Sequence, residues 1–186
     1  MEAAAFDAIV DGVRSGDQRA IEVLFRELQP RLLRFLRAQE PSVADDLAAE
    51  VWLAVARSTA KFDGDWDDYR AWFFSIARRR LADHRRTAVR RRTDTVDATV
   101  FELRPASDAP DEEALSRMSG QEAVALITSV LHGDQAEVLL LRVVADLDVE
   151  RVAELMNRSP NWVRVTQHRA VRSLAKRLGS KVVVIR

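Results

Sequence analysis

The sequence predicts an all-α protein of two small helical domains joined by a flexible acidic linker, with a helix-turn-helix in the C-terminal domain. Three observations predict it. Apolar residues recur at helical rather than alternating spacing through most of the 186-residue chain. Thr93 to Arg117 breaks that pattern, holding seven acids against two Arg together with Pro105 and Pro110, the composition of a solvated tether. Near the end, Leu147 to Leu178 reads as two helices around a tight turn. Val149, Val152, Ala153 and Met156 share one face, Asn157 breaks the run, and Ser159-Pro160 restarts a helix. Ser can cap free N–H groups there, and Pro loses nothing at the first helical position. The expected divisions are residues 1–92, 93–117 and 118–186.

The first helix carries Phe6, Ile9, Val10 and Val13 and stops at Ser15-Gly16-Asp17. A second starts there, with Ala20, Ile21, Leu24, Phe25, Leu28, Leu32, Leu33, Phe35 and Leu36 as a broad inward stripe and Pro30 placed to bend it. Pro41-Ser42 opens a third, Ser42 serving as cap, with Leu47, Val51 and Val55 inward and Asp45, Asp46 and Glu50 on the other face. After the loop Lys61 to Asp67 a fourth helix buries Tyr69, Phe73, Ile76, Ala77 and Leu81 and turns Arg78, Arg79, Arg85 and Arg86 outward. Beyond the linker, periodicity resumes at Gln121 with Val124, Ile127 and Leu131, and Gly133 ends that helix. Asp134-Gln135-Ala136-Glu137 has capping-box spacing and opens a helix bearing Val138, Leu139, Leu141, Arg142 and Val144. The helix-turn-helix follows directly. The terminal Lys181 to Arg186 is strand-like and too short to fold alone; it packs on its own domain, frays, or adds an edge to a partner.

Net charge is zero, but the charges are segregated. Arg70 to Arg92 holds nine Arg against Asp83, and Arg151 to Arg186 nine Lys or Arg against Glu154, whereas Glu40 to Tyr69 has eight acids and two bases. Two separated basic surfaces fit a protein that touches a polyanion at two places, because each neutralised phosphate adds affinity through counterion release. The second helix of the helix-turn-helix carries Arg164, Arg169, Arg172, Lys176 and Arg177, which places it in a major groove while the first crosses the phosphate backbone. An ordinary helical hairpin with a solvated basic face is the alternative. There is no Cys, and His84, His132 and His168 lack metal-ligand spacing, so no disulfide, thiol switch or metal site is expected. No stretch has the roughly 20 apolar residues of a membrane span, and the acidic, Arg-bearing start lacks a signal-peptide core, so a cytoplasmic location without membrane insertion is expected.

Three stretches resemble one family in order. Gly16-Asp17-Gln18-Arg19-Ala20-Ile21-Glu22-Val23-Leu24-Phe25 with Pro30 to Arg34 is similar to the opening helices of extracytoplasmic-function sigma factors, the small two-domain bacterial transcription initiation factors. Ala44 to Trp52 resembles their polymerase-binding helix and Trp72 to Arg86 their promoter-melting helix. The helix-turn-helix, ending His168-Arg169-Ala170, is the third. The resemblance covers nearly the whole chain. It implies that the first domain binds core RNA polymerase and the minus-10 promoter element, the second binds the minus-35 element, and the acidic linker threads through the polymerase. It implies no catalytic residue and no cofactor. A dedicated anti-sigma factor is the usual partner in this family, and the chain is expected to be a monomer when free of partners.

Carried over position by position, Asp45, Asp46, Leu47 and Glu50 fall on the polymerase-binding helix, with Ala49 in place of the usual Gln. Phe62, Asp63 and Gly64 fall in the loop that holds a flipped minus-10 base, and Arg78, Arg79, Arg85 and Arg86 on the helix beside that DNA; the stretch to Trp72 is about one residue longer than usual, and Arg79 stands where Asn is common. Ser159, Asn161, Arg164, Gln167, His168, Arg169, Arg172 and Lys176 fall on the minus-35 helix. There Arg can bridge guanine acceptors and Gln can pair with adenine. Thr166 replaces a common basic residue, and Trp162 either packs against the helix-turn-helix core or contacts DNA. The alternative function is a two-domain helix-turn-helix regulator with a ligand-sensing N-terminal domain. It accounts for the C-terminal half but not for the acidic helix followed by the basic one.

Overall fold

The structure is a computed structural model that describes residues 3–93 and 120–177. Four helices form the first half: α1 (Ala3–Ser15), α2 (Gln18–Arg37), α3 (Ala44–Ser58) and α4 (Trp66–Thr93). The second half holds α5 (Gly120–Val130), α6 (Asp134–Leu139), a π-turn (Leu140–Val144), α7 (Val149–Met156) and α8 (Pro160–Arg177). Among the described residues there is no strand. The linker between the halves and the strand-like tail, two features the sequence reading singled out, lie outside the described residues.

Asp17 caps α2, its carboxylate accepting from the Arg19 N–H at 3.1 Å, as short polar side chains do at helix starts. Leu24, Leu28, Leu32, Phe35 and Leu36 of α2 are buried with Leu47, Val51 and Val55 of α3 and Tyr69, Phe73, Phe74, Ala77 and Leu81 of α4. Each such Leu or Phe removed from water contributes about 1.5–3 kcal/mol before entropy is counted. Ile21 and Phe25, expected inside, are instead 45% exposed, because nothing among the described residues covers the α2 flank on which they lie. Ser42 is not the cap of α3. Pro41–Val43 forms a separate 3-10 turn, and α3 begins after Val43 without a side-chain cap. The expected capping box of α6 is also absent: Gly133, at φ 56°, takes the cap position, and Glu137 is bonded elsewhere.

In the second half Val124, Ile127, Leu131, Val138 to Leu141, Val144, Val152, Ala153, Val163 and Leu174 are buried. The helix expected to run to Val144 loosens after Leu139 into the π-turn, where the Ala145 N–H donates to the Leu140 carbonyl at 3.1 Å. Asp146 follows in the left-handed region at φ 57°. The two halves touch: α2 lies against the π-turn and α5, α4 lies against α7, and the buried side chains of both halves form one continuous cluster.

Candidate nucleic-acid interface

The helix-turn-helix is built by three local devices. Asp148 caps α7, accepting from the Arg151 N–H at 2.7 Å. Asn157 closes it in the left-handed conformation at φ 52°, which Asn tolerates better than most residues, and the Arg158 N–H reaches the Ala153 carbonyl at 2.8 Å. Ser159 Oγ then accepts from the Trp162 N–H at 3.2 Å, with Pro160 in the first helical position.

Val163, Thr166, Ala170 and Leu174 are buried on the inner face of α8, so the helix presents Asn161, Arg164, His168, Arg169, Arg172 and Lys176 to solvent, with Ser159 exposed at its start. Thr166 is therefore unable to serve as a surface contact in place of a basic residue. Gln167 departs from expectation: it is half-buried at the helix flank, and its Oε1 accepts from Arg142 Nε at 3.2 Å. Arg164 pairs with Glu150 of α7 at 2.7 Å, both side chains being more than half exposed, so water and salt weaken the pair. Trp162 packs against the core, with the Arg158 guanidinium 5.2 Å from its ring.

In the first half, the segment before α4 rests on a bed of rings. Phe62 is half-buried, edge-on to Tyr69 at 4.9 Å and tilted against Trp72 at 5.3 Å, and its carbonyl accepts from Arg14 at 2.5 Å. Burial pushes Tyr69 up to about 12, so it remains a neutral phenol beside Thr59 Oγ1 at 3.2 Å. Asp63 and Gly64 are exposed at the tip. Asp65 and Asp68 bond reciprocally, each carboxylate accepting the other's N–H at 2.8 and 3.3 Å, which starts α4 at Trp66, earlier than the sequence reading placed it. Arg79, Arg85 and Arg86 are exposed; Arg85 meets Glu40 at 2.8 Å and Arg86 meets Asp83 at 3.3 Å. Arg78 does not point into solvent as expected. Its Nε bonds Glu137 at 2.7 Å and its Nη1 donates to the Leu155 carbonyl, both in the second half.

On α3, Asp45, Asp46, Ala49 and Glu50 are exposed, and Asp45 pairs with Arg37 at 3.0 Å. Leu47 is buried at 3% exposure, so it anchors the helix and is not available on its surface. The acidic row runs on along α3 to Leu53, an apolar residue 58% exposed that sequence reasoning missed, and Ile21 and Phe25 of α2 are exposed as well. Phe25 leans on Trp52 at 5.1 Å, Trp52 Nε1 donates to Gln29 at 2.6 Å, and beside them lies an open groove of about 450 Å³. Ile21 and Phe25 carry the same helical periodicity as their buried neighbours, so no signal in the sequence separates them.

Residues 24–91 match the Sigma-70 region 2 family and residues 121–174 the Sigma-70 region 4 family. An ECF RNA polymerase sigma factor, SigD of Mycobacterium tuberculosis, is 31% identical over 180 residues, covering 94% of this chain and 84% of that one. The chain belongs to the ECF RNA polymerase sigma factors. ShbA of Streptomyces griseus, another of them, is 31% identical over 182 residues, covering 93% of this chain and 95% of its own. The fold agrees with the solved structure of CnrH in complex with the cytosolic domain of CnrY (TM-score 0.60, 19% identity, 91% of this chain and 94% of that one). It agrees equally with the sigma factor RpoE of Bartonella quintana in complex with the anti-sigma factor NepR (TM-score 0.60, 20% identity, 84% and 97%). The sigma factor is thus a transcription initiation protein that acts on promoter DNA with core RNA polymerase. The ligand-sensing alternative is not favoured, since region 2 fills the half of the chain that would have to sense. No helix among the described residues is long and apolar enough to cross a membrane.

Proposed function

We propose that the two halves divide promoter recognition between them. Residues 1–92 dock on core polymerase and hold the minus-10 element, residues 118–186 hold the minus-35 element, and residues 93–117 tether the two. The observation that carries this reading is the exposed face of α8, where Asn161, Arg164, His168, Arg169, Arg172 and Lys176 stand over a fully packed inner face. A helix so placed enters a major groove with its first turns nearest the bases. Arg164 reads base edges, Arg172 and Lys176 hold phosphates, and Gln167 joins them only after giving up Arg142. On the other half, Phe62, Asp63 and Gly64 frame the minus-10 base, with Arg79, Arg85 and Arg86 along the phosphates. Asp45, Asp46 and Glu50, together with the exposed Leu53 farther along α3, form the polymerase face. The protein is not an enzyme; it works in the cytoplasm, as a monomer until it meets polymerase, and an anti-sigma factor is its regulator, as NepR is the partner of the Bartonella protein.

A randomised minus-35 library selected with wild-type, Arg164→Ala and Lys176→Ala holoenzymes tests the division of labour on α8. Loss of a base contact costs about 1–3 kcal/mol and relaxes preference at one position, whereas loss of a phosphate contact weakens all sequences alike. Identical preferences for wild type and Arg164→Ala would reject the assignment.

A further inference from the structure

The region 2 match begins at residue 24, so α1 lies outside it, yet α1 reaches the loop assigned to the minus-10 base. The helix is closely seated. At Gly12 an added Cβ would stand 2.6 Å from that of Ala20, so α1 and α2 approach at a distance that only glycine permits. Phe6, Val10 and Arg14 lie four apart and share one stripe of α1. Phe6, 1% exposed, sets its ring 5.5 Å from those of Trp66 and Tyr69 and edge-on to Phe62 at 6.5 Å. Arg14 Nη1 pairs with Asp11 at 3.0 Å, which orients the guanidinium, and its Nη2 donates to the Phe62 carbonyl at 2.5 Å. The Phe62 N–H in turn donates to the Thr59 carbonyl at 3.0 Å. Phe62 is thus held at its ring, its N–H and its carbonyl, immediately before the exposed Asp63-Gly64 tip.

We propose that α1 is a positioning element of the minus-10 site, with Arg14 and Phe6 fixing Phe62 and thereby the base that the loop accepts. The proposal rests on the promoter reading of the Phe62–Gly64 loop given above. A pocket that chooses among bases by their polar edges must hold its groups to within about 0.5 Å. The far end of this loop is tied by the reciprocal bonds of Asp65 and Asp68, so its near end depends on Phe62. The peptide unit that carries the Phe62 carbonyl also carries the Asp63 N–H. That unit is planar and trans, so its two polar groups point in opposite directions. With the carbonyl drawn to Arg14, the Asp63 N–H is directed away from α1, a donor for the acceptor edge of a flipped base. Without Arg14 the unit is free to turn and to offer an acceptor instead. The bond that prevents this has a charged donor and is stronger than one between neutral groups. Asp11 balances the charge of Arg14, which makes the pair better suited to bracing the loop than to holding a phosphate.

The test uses the full chain bound to core polymerase. Fork-junction DNAs that carry each of the four bases at the unpaired minus-10 position are titrated with holoenzymes of wild type, Arg14→Ala, Arg14→Lys and Phe6→Leu. Arg14→Ala should lower the affinity ratio between the best and second-best base about fivefold, the equivalent of one ordinary hydrogen bond. Its urea midpoint, core binding and minus-35 preference should match wild type, because Arg14 lies at the surface and far from those contacts. Arg14→Lys keeps a charged donor and should retain most of the ratio. Phe6→Leu should lower the ratio as well, and the double variant should lose less than the product of the two losses, since both act through Phe62. An unchanged ratio in folded Arg14→Ala overturns the proposal. Equal weakening with all four bases, together with a shallower salt dependence, overturns it in favour of a direct phosphate contact. A parallel fall in core binding and minus-35 preference overturns it in favour of a merely structural helix. Wild-type holoenzyme that shows no preference among the four bases would instead overturn the promoter reading of the loop, a result distinct from any difference between variants.

Discussion

At Gly64 the backbone takes φ 144°, and a Cβ there would stand 2.9 Å from that of Asp68 and 3.1 Å from the Phe62 ring. Only glycine fits, and the consequence is that the loop tip folds back over the start of α4, where Asp65 and Asp68 tie it. Gly64→Ala should cost about 1–3 kcal/mol, the usual penalty for forcing a side chain into this region. The loop is hinged at its ends and the core lies beneath it, so the strain should be relieved by opening the tip, not by unfolding the domain. The expected result is a modest fall in urea midpoint together with loss of discrimination among minus-10 bases in a fork-junction binding assay. Full retention of base preference would show that the tip does not shape the base pocket. The identity of this residue was legible in the sequence; the contact that makes it obligatory was not, because Asp68 and Phe62 are brought to it by the turn.

Among the elements, α3 carries the sharpest division between faces. Leu47, Val51 and Val55 are buried while Asp46 and Glu50, one turn apart, are exposed and lead to Leu53. Reversing Asp46 and Glu50 to Lys should abolish pull-down of core polymerase while changing stability by no more than about 0.5 kcal/mol, since neither side chain is part of the packing. Unimpaired pull-down by the folded variant would remove α3 from the docking face. Helical periodicity disclosed this division for α3 and for the inner face of α7, and the Ser159-Pro160 start of α8 was equally plain. It failed where a helix has apolar residues on more of its circumference than its neighbours cover, as at Ile21 and Phe25 of α2. It failed again where a polar side chain has a choice of partners. Glu137 has the spacing to cap its own helix, but the guanidinium of Arg78 offers a charge-assisted bond and takes it. Gln167 is likewise claimed by Arg142.

For the whole molecule, the two halves were legible as separate helical units, whereas their contact was not, since the ion pairs that join them link residues far apart in the chain. The same pairs predict how the closed form responds to acid. The Asp68 carboxyl is held below its ordinary value of 3.8 by the side-chain hydrogen bond from Arg151, and then by the Asp65 N–H. Burial acts to raise Asp148, but the backbone and guanidinium of Arg151, with the charge of Arg142, outweigh it and leave that group lowered too. Arg151, which burial alone would lower, is raised by Asp68 and Asp148 and stays charged throughout. A carboxylate whose folded value is depressed contributes stability fully above its unfolded value and loses it as pH falls through the folded one. The groups facing Asp68 across the seam between the halves are Arg151 and Asp148, with Asp65 on its own side; Asp148 is lowered as Asp68 is, and Arg151 is raised. Small-angle scattering of the full chain should therefore give one radius of gyration from pH 8 to about pH 5 and expansion only below about pH 4. Expansion already between pH 7 and 5 would mean that something other than the Arg151 carboxylate pairs decides whether the halves stay together.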